Sequence, residues 1–225
     1  MLKRLLLALA LLAPAFAFAQ TPATPAPAKP AAAKTTKAAK AATKTPAKAA
    51  EKPAAEVPAG PPKVLVKTSM GDITLELYPD KAPKSVENFL AYVKSGFYDG
   101  TVFHRVIEGF MIQGGGFTKD LRQKPTKPAI PIESKNGLSN LRGTLAMART
   151  QDPNSATAQF FINTVDNARL DYASDASPGY AVFGKVISGL DVVDKIKVTP
   201  TGAQGPFRSD VPVTPVVIEK VTLLP

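Results

Sequence analysis

The sequence has no cysteine and a single histidine, His104. Without thiols there can be no disulfide, no thiolate nucleophile and no zinc–thiolate site. One imidazole cannot build a multi-histidine metal centre, and a Ser-His-acid relay finds little support around it. Flanked by Phe103 and Val106, His104 reads as a packed side chain rather than a catalyst. Long apolar runs are also missing. The longest, Leu5–Phe16, contains Pro14 and falls short of the roughly 20 residues that a membrane-spanning helix needs. Gly114, Gly115 and Gly116 stand together, but no Lys-Ser/Thr follows them, so a phosphate-cradling loop is a poor reading; the triplet reads as a place where the backbone turns. No internal repeat is present.

What is there falls into three zones. In Met1–Ala19, Lys3 and Arg4 precede the apolar stretch and Ala17-Phe18-Ala19 forms a small-residue cleavage site. This layout is that of a secretory signal peptide cut after Ala19. No cysteine follows the cut, which argues against a lipid anchor. Residues 20–62 are almost entirely Ala, Pro, Lys and Thr, without one aromatic and with Val57 as the only large aliphatic. Such a segment cannot bury enough apolar surface to offset its ordering entropy, and it reads as a disordered, semi-rigid tether. Of the net charge of +10, Lys3 and Arg4 supply two, and seven tether lysines against Glu51 and Glu56 supply five, leaving three for the rest. The protein is basic mainly outside its folded part. A plain solvated spacer is the expectation for the tether; the alternative is a weak contact with anionic envelope polymers.

Residues 63–225 carry the organised pattern. Val64–Val66 and the alternating Ile73–Tyr78 flank a turn at Ser69–Asp72 and predict an antiparallel hairpin. A helix follows, with Asp80 as its expected cap, Pro83 in its first turn, Val86, Phe89, Leu90 and Val93 on one face, and Gly96 at its end. Short strands are expected at Thr101–Val106, Met111–Gln113, Gly143–Met147, Phe160–Asn163, Ala181–Val186 and Val216–Leu223, with a short helix over Leu190–Lys195. The pattern predicts a mainly β protein, a closed eight-stranded antiparallel barrel capped by two helices. Strand alternation would put His104 and Arg105 on opposite faces. Asp171 and Asp175 read as solvated loop residues.

What remains for chemistry is Arg105 among large apolar side chains. Here the order of motifs resembles the cyclophilin family of peptidyl-prolyl cis-trans isomerases. The run from Phe103 to Phe117 is similar to the family signature, and so, in order and rough spacing, are Gly143–Ala148, Ala158–Asn163 and Val182–Val186. The resemblance spans about residues 63–225 and is greatest to the bacterial periplasmic group. It implies Arg105 as the catalytic arginine and Gln113 as a polar partner that orients the substrate backbone. It implies Phe110, Met111, Phe161 and Leu170 as the proline pocket, Ala148 and Gln159 as groove residues, and Tyr180 at the pocket rim. Arg149 stands where many members have Asn, in a position that meets the peptide mainly through its backbone. Arg169 stands where members often have Trp or Phe, at a position that grips cyclosporin, so strong inhibition by that drug is not expected.

The resemblance implies an isomerase acting on proline-containing polypeptides, with no cofactor and no metal; no nucleic-acid partner is expected, and a monomer is the default. With the leader, it places the protein in the periplasm, assisting exported proteins as they fold. The chemistry fits the residue inventory, because rotating an X–Pro bond breaks no bond and needs no nucleophile. The basic rim of Arg149 and Arg169 points to tolerance of acidic neighbours in the substrate. The rival classes are a non-enzymatic peptide-binding chaperone on the same fold, and an envelope-tethering protein whose working part is residues 20–62.

Overall fold

The computed structural model describes residues 60–225. The leader and nearly all of the tether lie outside the described residues. Ten strands and two helices follow in order: β1 (Lys63–Thr68), β2 (Gly71–Leu77), α1 (Pro83–Lys94), β3 (Thr101–Ile107), β4 (Met111–Thr118), β5 (Thr144–Met147), β6 (Phe160–Asn163), β7 (Val182–Ser188), α2 (Leu190–Lys197), β8 (Thr201–Gln204), β9 (Phe207–Pro212) and β10 (Val217–Leu223). Eight of the strands close into a barrel in the order β1-β10-β3-β4-β6-β5-β7-β2. Every pairing is antiparallel, and β2 returns to β1 across the Thr68–Gly71 turn. A closed barrel leaves no open edge, and eight strands enclose a space that side chains can fill.

Those side chains come from alternate strand positions and from both helices. Ile73, Leu75 and Leu77 of β2, Leu145 and Met147 of β5, and Phe160 and Ile162 of β6 join one buried cluster with Val86, Phe89 and Val93 of α1 and Val193 and Ile196 of α2. Phe89 stands edge-on to Phe160 with ring centres 5.5 Å apart, and Tyr98 meets Phe160 in the same way at 5.5 Å. The Tyr98 hydroxyl, carried into this apolar interior, donates to the Ala158 carbonyl at 2.8 Å, so its burial leaves no unpaired donor.

Four expectations need correcting. Asp80 does not cap α1: the N-cap residue is Ala82, with no side-chain bond of its own. Glu133, far along the chain, supplies the cap instead, accepting from the Lys84 and Ser85 backbone N–H groups at 2.9 and 2.7 Å. The three glycines do not make a turn but continue β4, which runs on to Thr118. Gly115 has φ +79, and a Cβ there would meet the rings of Tyr98 and Phe160 at 2.8 Å, so the strand can pass only as glycine. The hairpin β8–β9 was not expected at all; it lies apart from the barrel sheet, with β9 against β3.

The fourth correction concerns β3. Phe103 pairs with Gly114 and Arg105 with Gln113, so two residues of β3 oppose one of β4. This is a β-bulge at His104. Strict alternation would send Arg105 to the same face as Phe103, into the core. The bulge turns it out again and still returns Val106 to the core beside Phe103. His104 and Arg105 therefore both lie off the core rather than on opposite faces.

Candidate active site

Four strand residues point away from the main core and form a second, smaller cluster: Met111, Ala146, Phe161 and Val182. Each neighbours a residue of the inner cluster, as Phe161 neighbours Phe160 and Ile162. Phe110, Ala148, Leu170 and Tyr180 surround this floor. Above it opens a pocket of about 100 Å³ lined by Arg105, Phe110, Met111, Gln113, Ala148, Arg149, Phe161, Leu170 and Tyr180. Nine of the ten residues given a catalytic or substrate-binding role from the sequence thus meet around one cavity. Its volume suits one small apolar ring, and Tyr180 closes one side, edge-on to Phe161 at 5.6 Å.

Gln159, the tenth, sits just outside and acts on Gln113. Its Oε1 accepts from Gln113 Nε2 at 2.9 Å. It crosses β4 at Gly116, where a Cβ would come within 2.4 Å of the Gln159 Cγ. Only glycine leaves room for this side chain to lie across the strand and orient its neighbour.

Arg105 and Arg149 are the charged residues of the pocket lining, and Arg105 is the one beside Gln113. Its side chain is 42% exposed, and its Nε lies 4.0 Å from Oδ2 of Asp210. The guanidinium carbon is 5.9 Å from the Phe110 ring centre. Two further guanidiniums border the same rings. Arg169 lies over Phe110 at 4.6 Å and Arg149 over Tyr180 at 4.6 Å. Such stacking contributes about 0.5–1 kcal/mol at exposed sites and holds a planar group in place. Arg149 is further fixed by donating to the carbonyls of Gly179 at 2.9 Å and Thr150 at 2.8 Å.

A buried amide network holds the walls. Asn167 donates to the Phe110 carbonyl and to Asn163 Oδ1, both at 2.8 Å. Asn163 donates to Asn140 Oδ1 at 3.3 Å. Asn140 donates to the Leu170 carbonyl at 3.1 Å, and its backbone and side-chain N–H groups reach Asp171 Oδ1 at 2.6 and 2.9 Å. Asp171 is therefore a fixed acceptor inside this network, not a solvated loop residue. Asp175 is solvated as expected, 82% exposed and paired with Lys135 at 2.6 Å.

His104 takes no part in the pocket. It is 2% exposed and packs in a three-ring cluster with Phe117 at 4.5 Å and Phe207 of β9 at 5.5 Å, which also touch each other at 5.1 Å. Burial pushes its pKa down to about 4, with the nearby Arg105 charge adding to the effect. Its Nδ1 has no hydrogen-bond partner.

Sequence reasoning missed Asp210 and the asparagines. Asp210 has φ +66, a left-handed conformation that costs a non-glycine residue energy. Its only sequence signal is the Gly205-Pro206 turn before it, which marks a hairpin without saying where the carboxylate ends up. Nothing local in the sequence marks Asn140 and Asn167 as buried.

Comparison with known proteins agrees with this geometry. The family model described as cyclophilin type peptidyl-prolyl cis-trans isomerase matches residues 63–223. Peptidyl-prolyl cis-trans isomerase B of Escherichia coli (strain K12) is 56% identical over 162 residues, covering 71% of this chain and 98% of the relative. Peptidyl-prolyl cis-trans isomerase A of Dickeya dadantii (strain 3937) is 55% identical over 161 residues, covering 72% and 84%. Among solved structures, a Cryptosporidium parvum cyclophilin type peptidyl-prolyl cis-trans isomerase superposes with a TM-score of 0.60 at 29% identity, covering 73% of this chain and 98% of that one.

Proposed function

The chain belongs to the cyclophilin-type peptidyl-prolyl cis-trans isomerases, and from that premise we propose that Arg105 carries the catalysis while the adjoining apolar pocket holds the proline ring. An X–Pro bond resists rotation because the nitrogen shares its lone pair with the carbonyl. The barrier is about 18–20 kcal/mol, and the uncatalysed reaction takes tens to hundreds of seconds. In the twisted state resonance is lost and the lone pair returns to nitrogen. A guanidinium suits that moment, being always charged and a donor that keeps its proton. Phe110, Met111, Phe161 and Leu170 grip the ring and exclude water, which strengthens the field of Arg105. Gln113, set by Gln159, orients the peptide backbone. Asp210 steadies the guanidinium.

The observation that carries this reading is the single pocket in which Arg105 stands over an apolar, ring-sized floor. The test is isomerisation kinetics of a proline-containing peptide. Arg105→Ala should lose at least about a hundredfold in kcat/KM, about 3 kcal/mol of transition-state stabilisation, with its melting temperature nearly unchanged. Near-wild-type turnover would overturn the mechanism. We further propose that the enzyme acts in the periplasm on exported polypeptides as they fold, as a monomer tethered by residues 20–62. The leader-like pattern of Met1–Ala19 supports this. Mature protein recovered from cells should begin at Gln20, and a retained leader would sink the idea.

A further inference from the structure

We propose that the hollow beside the pocket selects acidic side chains in the substrate, with Arg149 and Arg169 as the selecting residues. This rests on the reading of the adjoining pocket as the proline site. The hollow has a volume of about 620 Å³ and shares Arg149 and Tyr180 with the pocket. A polypeptide with its proline seated between Phe110 and Tyr180 has neighbouring residues that must leave past one or other side of those rings. Each of the two rings carries a guanidinium, Arg169 on Phe110 and Arg149 on Tyr180, both at 4.6 Å.

Neither charge is paired with a carboxylate of the described residues, none of which comes within 4.0 Å of either guanidinium. The bonds of Arg149 go to backbone carbonyls, which orient it but leave its charge in place. Asp175 is the one acidic residue lining the hollow, and its charge is already met by Lys135 at 2.6 Å. Two guanidiniums, held in place by stacking and without a carboxylate partner, form a site that a carboxylate completes. Because they are ordered before binding, little side-chain entropy is lost when it arrives. The same field disfavours a lysine at that place.

The test uses the full mature chain and direct NMR exchange measurements on Ala-Pro peptides. Glu, Gln or Lys is placed one or two residues before or after the Ala-Pro pair. At one or more positions, kcat/KM should fall in the order Glu, Gln, Lys, with about a tenfold span at low salt. That span should shrink to about twofold at 0.5 M salt, since both arginines are solvent-accessible. Arg169→Gln should reduce the span about threefold, and adding Arg149→Gln should bring it close to one. Equal efficiency for Glu and Lys at every position, with the Gln peptides turned over well, would overturn the proposal while leaving the pocket reading intact. A span unchanged in the double variant would also overturn it. Failure to turn over the Gln peptides would overturn the pocket reading and this proposal with it.

Discussion

Phe160 and Phe161 are neighbours on β6 with different fates. Phe160 enters the barrel core and meets Phe89, Tyr98 and Phe103 in edge-on ring contacts. Phe161 joins the outer cluster under the pocket with Met111, Ala146 and Val182. The same split recurs at Met111 and Ile112, at Ala146 beside Leu145 and Met147, and at Val182 and Phe183. One set of strands thus serves two apolar regions through its alternation of two. The inner region is closed and filled, and its side chains hold the barrel. The outer one borders an open pocket of about 100 Å³, the proposed site of the proline ring. Stability and activity are assigned to adjacent residues, so substitutions one position apart should separate them.

The sharpest test of that separation is also the largest effect. Phe160→Ala should cost about 3–5 kcal/mol of stability, measured by denaturant unfolding, because it opens a void in a close-packed interior. Phe161→Ala should cost clearly less stability, since part of its ring already borders the open pocket. It should lower kcat/KM about tenfold through poorer ring positioning. Equal destabilisation by both would break the comparison.

His104 belongs to neither region, and its prediction is next in size. Its pKa of about 4 lies below the usual 6.5, so the unfolded chain takes up the proton first as pH falls. The stabilisation it lends is full above about pH 6.5 and is lost as pH falls towards 4. The loss is on the order of 3 kcal/mol. The stability difference between wild type and His104→Leu should therefore shift in favour of the variant between pH 7 and pH 4.5. A difference that stays constant with pH would show that the imidazole titrates normally.

Asp210 should give the smallest effect. Asn tolerates a left-handed backbone, so Asp210→Asn keeps the hairpin and removes only the charge. A twofold to fivefold fall in kcat with KM and melting temperature unchanged is expected, since a half-exposed pair at 4.0 Å is a modest interaction. A loss of stability without a fall in kcat would make Asp210 a hairpin residue only.

Much of the barrel was legible because its signals are local. Ile73–Tyr78 alternates over a full strand, and Val86, Phe89, Leu90 and Val93 repeat at helical spacing, so the buried face of each element can be read without its partner. The pocket lining was legible for a different reason: motif order picked out its residues, and nearly all of those line one cavity. The failures share a cause. Glu133 caps α1 from a distant loop, Asn140 holds Leu170 and Asp171 across the fold, and β9 brings Asp210 to Arg105. None of these partners is near in sequence, so no periodicity or spacing announces them.

The run from Phe103 to Gly116 shows where the division falls. By itself the sequence determined that a strand here would carry one arginine beside large apolar side chains; that the glycines after it continue the next strand because bulk is not tolerated there came only from the fold. The sequence also determined that no thiol and no second histidine could do the chemistry. Which way Arg105 points was decided only in the tertiary structure. The bulge at His104 exists because β3 must pair with β4 in a register that keeps both Phe103 and Val106 in the core. The hairpin β8–β9 can then cover the extra residue with Phe207 and bring Asp210 to the guanidinium. A face set by alternation is a local property of the chain. A bulge is a property of the pair of strands, and it moves the one charged side chain from the barrel interior to the pocket.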